Sequence, residues 1–283
     1  VIIVDLNQVM LSNMLMQLDK HTNAPIDENM FRHMVLNSLR SYKVKFGNDY
    51  GEMIIACDNK NYWRKQLFPY YKENRKKNIE ESEINWKEIF DYLNKIRGEI
   101  KEYLPYRVID VESAEADDII ATLCENFSDN NQTTLVLSGD KDFIQLHKYK
   151  NVEQYDPTRK KWIKHENPEQ YLKEHIMHGD EGDGIPNILT QDDYYVTRKK
   201  GDRQKRLTSK KINEIANSEN IETSIARNYD RNRHLIDLSF IPNKIKVQVM
   251  EQYNSQNNRN RNKMLSYFME KKLRNLMDNL SDF

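Results

Sequence analysis

Cysteine is almost absent from this chain: Cys57 and Cys124 are the only two in 283 residues. Two thiols without zinc-type spacing exclude a disulfide framework and a cysteine-ligated metal, and they point to a reducing cytoplasm. With eight glycines in all, no nucleotide-binding glycine loop stands out, nor does any serine or cysteine triad. No apolar run approaches the length of a membrane span, and no signal peptide opens the chain. The seven histidines show no ligand spacing. Net charge is missing too, since 44 basic residues balance 44 acidic ones, which by itself argues against a nucleic-acid partner.

The local distribution of charge argues the other way. Residues 60–77 hold seven basic side chains against Glu73 alone, and residues 198–211 hold eight against Asp202 alone. Acids cluster elsewhere, where bound cations would neutralise them, so local charge is the better guide.

Short apolar runs at 1–6, 53–57, 107–111 and 133–137 read as buried strands. Helical periodicity lies between them: Phe31, Val35 and Leu39 after a cap at Asp27, and Ile89, Leu93, Ile96 and Ile100 in 86–104. Residues 152–155 and 161–164 read as a hairpin around Asp156-Pro157. The alternation predicts an α/β fold, a mainly parallel central sheet with helices on both faces. Beyond Pro168 helical segments dominate, at 169–177, 209–216, 244–253 and 263–280. A boundary near Ile176 is expected, giving an α/β domain over 1–176 and a smaller helical domain over 177–283. The chain starts inside a strand without a methionine, so residues preceding Val1 are expected.

Asp5 ends the first strand, Asp58 the second, and Asp140 and Asp142 the fourth; Glu115, Asp117 and Asp118 open a helix after Ser113, itself a reasonable N-cap. Acids suit a helix N-terminus, and a single strand-end aspartate is ordinarily a loop cap. Neither account covers the whole set. Ligands of parallel sheets bind beyond the carboxyl ends of the strands, and like charges gathered there need cations. The set reads as a divalent-metal site. Two more acids, Asp180 and Asp183, follow in a turn with Gly179, Gly182 and Gly184.

In order, these segments are Val4-Asp5-Leu6-Asn7-Gln8, Cys57-Asp58-Asn59, Glu115-Ala116-Asp117-Asp118, Asp140-Lys141-Asp142-Phe143-Ile144-Gln145-Leu146 and Gly179-Asp180-Glu181-Gly182-Asp183. The series resembles the structure-specific 5′ nucleases, the flap endonuclease family, nearest its T-even-type bacteriophage RNase H members. The resemblance covers nearly the whole chain and implies a PIN-like nuclease domain. It implies a first Mg²⁺ near Asp5, Asp58, Glu115, Asp117 and Asp140, and a second near Asp142, Asp180 and Asp183, with Asp118 supporting the network; Mn²⁺ substitutes. Two hard cations activate a water, neutralise charge at phosphorus and stabilise the leaving 3′ oxygen.

Residues 60–83 match the family's helical arch, and Tyr71-Lys72-Glu73-Asn74-Arg75 its Tyr-Lys-x-Asn-Arg pattern. Lys72 and Arg75 would share a helix face and meet the scissile phosphate. Trp63, Tyr70 and Tyr71 would offer stacking faces to a single strand, with Arg64 and Lys76 beside them; packing of the aromatics on the domain is the alternative. With few core-type residues, the arch would be mobile without nucleic acid. A helix–three-turn–helix element following Asp183 would grip duplex DNA. The family often holds K⁺ there, although Gly184 stands where Asn is common. Arg198, Lys199, Lys200, Arg203, Lys205 and Arg206 are the strongest duplex-binding candidates, making affinity salt-dependent but not sequence-specific.

The resemblance implies a monomeric Mg²⁺-dependent 5′ exonuclease and flap endonuclease acting on RNA–DNA hybrids and duplex or flap DNA. Its role would be primer removal in a phage-infected cytoplasm, with a single-stranded-DNA-binding protein and a sliding clamp as partners. The alternatives are a non-catalytic nucleic-acid-binding relative and a phosphatase built on Asp5-x-Asn7.

Overall fold

The computed structural model describes residues 1–18, 27–82, 84–216, 223–256 and 260–283; residue 83 of the expected arch lies outside them. In chain order its first elements are β1 (Ile2–Asp5), α1 (Leu6–Leu18), α2 (Glu28–Tyr50), β2 (Met53–Ala56), α3 (Arg64–Leu67), α4 (Glu73–Glu80), α5 (Trp86–Tyr103), β3 (Arg107–Ile109), α6 (Ala116–Asp129), β4 (Thr134–Leu137), β5 (Val152–Asp156) and β6 (Lys161–Ile163). Then come α7 (Pro168–His178), α8 (Tyr194–Thr197), α9 (Ser209–Ala216), α10 (Thr223–Ile236), α11 (Asn243–Ser255), α12 (Met264–Glu270) and α13 (Arg274–Met277). No described helix is long and apolar enough to cross a membrane.

The chain packs as two compact units. The first takes residues 1–60, 84–164 and 242–283; the second takes 61–83 and 165–241. Residues 242–283 thus pack with the sheet, away from the helices that precede them in sequence. Tyr267, Phe268, Leu276 and Phe283 share one core with Val4, Ile55, Val108 and Leu137.

The first unit is built on six strands in the order β3-β2-β1-β4-β5-β6. All neighbours are parallel except the edge pair β5–β6, so the expected hairpin is real but belongs to the main sheet. Ile2, Ile3 and Val4 are each fully buried. Successive strand residues point to opposite faces, so both faces of β1 are covered, as a parallel sheet requires. The cap foreseen at Asp27 is present: its Oδ1 accepts from Asn29 N and Met30 N. Inside this unit Arg32 of α2 is buried and gives Nε and Nη2 to the two carboxylate oxygens of Glu99 on α5, at 2.6 and 3.0 Å. The Tyr267 hydroxyl of α12 donates to the same carboxylate at 2.9 Å. Three distant stretches of sequence are thereby tied by one polar cluster.

The second unit is mostly helical. One core combines Phe68 and Tyr71 with Ile176, Ile185, Leu235 and Ile236; a second combines Met177, Ile188 and Ile215. The 60–82 stretch thus supplies core residues, contrary to its reading as a core-poor arch. Its basic residues had masked two apolar anchors. α10 is held by buried amides: Asn232 Nδ2 donates to the carbonyl oxygens of Ile176 and Pro186, and Asn228 Nδ2 to that of Ile188.

Candidate active site

Register puts three acids at one sheet edge. Asp5 pairs level with Ala56 on β2, and Val4 with Leu137 on β4. Asp58 and Asp140 therefore lie just past the ends of the strands flanking β1, on either side of Asp5. Local bonds fix them there. Asp5 Oδ2 accepts from Ser138 Oγ (3.1 Å) and its Oδ1 from Gln8 N (3.1 Å). Asp58 accepts from Asn7 Nδ2 and from Ala116 N, the first residue of α6, at 2.6 Å. That contact joins β2 to the acidic helix start, where main-chain N–H groups favour a carboxylate.

The start of α6 differs in detail from expectation. Glu115, not Ser113, is the N-cap, and Ser113 adopts a left-handed φ of 67° two residues earlier. Asp118 is fully buried, and its Oδ2 accepts from Glu115 N at 2.9 Å. Asp118 thus closes a capping box, which sets the first turn carrying Glu115 and Asp117. Asp140 in turn accepts from Asp142 N at 2.9 Å and caps the 3₁₀ turn over 141–148.

Two glutamines position these turns: Gln8, which stands in the first quoted motif, and Gln154, which carried no signal in the sequence. Gln8 Oε1 accepts from Gly139 N (2.6 Å), and buried Gln154 on β5 donates Nε2 to the carbonyl oxygens of Ser138 (2.9 Å) and Asp140 (2.6 Å). Gln154 Oε1 also meets His147 Nε2 at 3.1 Å. A Cβ on Gly139 would stand 2.8 Å from Asp156 Cγ, so only glycine allows this approach.

The edge is electrostatically unfavourable on its own. Burial first, then the charges of Asp58 and Asp140, push the Asp5 carboxyl up to about 7, against the opposing bonds from Gln8 and Ser138. An all-oxygen donor set under mutual repulsion fits a hard divalent cation. Burial raises the Cys57 and Cys124 thiols, which leaves them out of this chemistry.

The second unit holds the other candidates. Asp180 and Ile185 close a tight turn, with Asp183 N donating to Asp180 Oδ1 at 2.9 Å. The 71–75 segment lies on this turn. Tyr71 OH donates to Asp183 Oδ2 (2.8 Å), Arg75 Nη2 to Asp183 Oδ1 (2.6 Å), and Lys72 Nζ stands 3.6 Å from the same oxygen. Burial opposes charge on Asp183, but Lys72, Arg75 and the Tyr71 hydroxyl outweigh it and hold the carboxyl below its usual range. Lys72 is not on the helix with Arg75: it precedes α4 with a left-handed φ of 58°. The two cations still converge, through the backbone turn rather than a shared helix face. Gly184, at φ 71°, would bring a Cβ to 3.0 Å from Asn74 Oδ1, which accounts for glycine after Asp183.

Three of the nucleic-acid candidates lie inside the second unit. Trp63, Arg64 and Tyr71 are buried, and Arg64 Nε donates to the Leu235 carbonyl oxygen at 2.9 Å. Their faces serve the core and are closed to bases. Tyr70 is 37% exposed, and Lys76 extends to solvent beside Glu73 (2.9 Å). Lys199, Lys200, Arg203, Lys205 and Arg206 are all exposed. Their loop is pinned by Gln204, whose Oε1 accepts from Asn187 N (2.7 Å), and by Asn187 Nδ2 donating to the Lys205 carbonyl oxygen (2.8 Å). Arg198 instead pairs with Glu181 at 2.9 Å.

A parallel sheet whose carboxyl edge gathers mutually repelling carboxylates around the buried Asp5 has the construction of a phosphodiester hydrolase. Comparison with known proteins agrees. The family model "5′-3′ exonuclease, N-terminal resolvase-like domain" matches residues 3–176, and "T4 RNase H, C terminal" matches residues 167–283. The chain is 34% identical to ribonuclease H of Enterobacteria phage T4 over 293 residues, covering 99% of this chain and 95% of that protein. It is 32% identical over 155 residues to flap endonuclease Xni of Shewanella piezotolerans, covering 51% of this chain and 56% of that protein. A phage T5 flap endonuclease, solved as a pseudo-enzyme–product complex with DNA and metal ions, shares the fold at a TM-score of 0.64 and 16% identity, covering 91% of this chain and 99% of that one. The zinc-bound phage T5 5′-exonuclease shares it at 0.63 and 15%, covering 90% and 99%. The chain belongs to the 5′–3′ exonuclease family, enzymes that hydrolyse phosphodiester bonds.

Proposed function

We propose that this nuclease is a Mg²⁺-dependent 5′ exonuclease and flap endonuclease. It hydrolyses the RNA of RNA–DNA hybrids and also duplex DNA from the 5′ end, and so removes primers in lagging-strand replication. The observation that carries the reading is the trio Asp5, Asp58 and Asp140 on adjacent strand ends, with Asp5 pushed up to about 7 by burial and by its acidic neighbours. The relatives supply the substrate class, since one is named a ribonuclease H and another a flap endonuclease.

Asp5, Asp58, Glu115, Asp117 and Asp140 would hold one divalent cation, with Asp142 of the first unit and Asp180 and Asp183 of the second as candidate ligands of another. Paired Mg²⁺ ions would supply an activated water, neutralise charge at phosphorus and stabilise the departing 3′ oxygen. Asp118 and Gln154 keep the ligand-bearing turns in place. Lys72 and Arg75 bind the scissile phosphate, which competes with Asp183 for their charge. The exposed basic loop over 199–206 grips backbone phosphates without reading sequence. A single-stranded-DNA-binding protein and a sliding clamp are the partners that the family resemblance suggests for this role.

The test uses a 5′-labelled flap duplex and a nicked RNA–DNA hybrid, each with and without Mg²⁺, comparing wild type with Asp117→Asn. Metal-dependent release of short 5′ products, lost in the variant while binding survives, is the expected result. Binding without cleavage in any divalent metal would refute the reading and leave a non-catalytic binder.

A further inference from the structure

The sheet edge opposite the acidic one carries a cavity of about 560 Å³, within the size range of small-molecule sites. It opens where strands begin, since Met53 starts β2 and Arg107 starts β3, and all its lining residues belong to the first unit. Three cationic side chains line it, Lys43, Arg107 and Arg261, against one acid, Glu52. Glu52 is taken up by Arg107 and by the Tyr253 hydroxyl (3.0 Å). Arg261 Nη2 donates to the main-chain oxygen of Phe283 (3.0 Å) and Lys43 Nζ to that of Gly51 (2.6 Å). Even with a carboxylate at Phe283, the wall keeps net positive charge. Burial, and after it the Arg261 charge, lowers the Lys43 pKa.

Tyr106 supplies the independent sign of a ligand. It lines the same cavity, is only 2% exposed, and its hydroxyl has no hydrogen-bond partner among the described residues. Buried hydroxyls are nearly always satisfied, and an orphan calls for an explanation. A donor hydroxyl beside ammonium and guanidinium groups matches an oxyanion with several acceptor oxygens. The cavity is too large for bare phosphate, and Pro105 with Phe283 adds apolar wall.

We propose that this cavity binds a phosphate monoester of nucleotide size, its phosphate meeting Lys43, Arg261 and the Tyr106 hydroxyl. The site is separate from the acidic edge and needs no divalent cation. Calorimetry in EDTA would measure inorganic phosphate and deoxyadenosine monophosphate binding to wild type, Tyr106→Phe and Lys43→Met. Wild type is expected to bind both, the nucleotide more tightly. Tyr106→Phe, which loses only a hydrogen bond to a charged group, should weaken both about tenfold, and Lys43→Met should weaken both as well. The ligand-free melting temperature of Tyr106→Phe should not fall, because its hydroxyl has no partner among the described residues to lose; this separates binding from folding. Absent binding by wild type, or equal affinity in all three proteins, would overturn the site. Equal affinity of wild type for phosphate and nucleotide would overturn its nucleotide size.

Discussion

Replacing Arg32 by Met tests whether the C-terminal helices are structurally part of the nuclease unit. Methionine keeps most of the side-chain volume but removes the guanidinium that holds both oxygens of Glu99. Glu99 is 9% exposed, so its carboxylate would stay buried with the Tyr267 hydroxyl as its nearest remaining donor. Breaking such a pair from one side costs about 3–5 kcal/mol. Lys271 Nζ, 3.9 Å from Glu99 and 25% exposed, offers partial compensation, so the lower end, about 3 kcal/mol, is expected. With a urea m-value of about 2–3 kcal/mol per molar, the denaturation midpoint should fall by roughly 1 M. Adding Glu99→Leu removes the stranded charge and should return stability to within about 1 kcal/mol of wild type. A single variant costing less than about 1 kcal/mol, or a double variant as unstable as the sum of the singles, would refute the reasoning.

Gly139→Ala forces its methyl against Asp156 and shifts the turn carrying Asp140; kcat on a flap substrate should fall about 100-fold for an ångström of displacement, with substrate binding retained. Trp63→Ala should destabilise by about 3–5 kcal/mol in urea unfolding, because the ring is core. Tyr70→Ala should leave stability nearly unchanged but weaken single-strand binding by about 1–3 kcal/mol, read by fluorescence anisotropy. Asp118→Ala loses a cap contact and should cost about 1–2 kcal/mol of stability. Its Mn²⁺ affinity should stay within a few-fold of wild type by calorimetry, and a loss as large as that of Asp117→Asn would make Asp118 a ligand.

What the sequence showed and what it hid follow from different physics. Strands fully buried on both faces are unbroken apolar runs, so β1, β2, β3 and β4 were legible together with the acids at their ends. The positioning roles were not. Gln154 and Gln8 matter through main-chain atoms of a loop more than a hundred residues from Gln8, a relation that residue type does not encode. α10 escaped because its inward face carries Asn228 and Asn232, whose amides bond to backbone carbonyls, whereas periodicity rules look for apolar residues. α1 escaped for the opposite reason: Leu6, Val9, Met10 and Met14 are all buried, and its remaining residues offer little polar contrast. The aromatic run 62–71 reads as a binding face in one dimension, but burial divides it into core (Trp63, Tyr71) and surface (Tyr70).

The return of the last forty residues to the sheet also bears on how the enzyme is made. Phe283 is 2% exposed and packs edge-on against Phe268 at 5.3 Å, in the same core as β1. Strand β1 is translated long before α12 and Phe283, yet all three share one core. At about 5–20 residues per second, a nascent chain spends many seconds with its acidic edge translated and that core unfinished. The sheet that carries the acids therefore reaches its full packing only after α12 and Phe283 have been made.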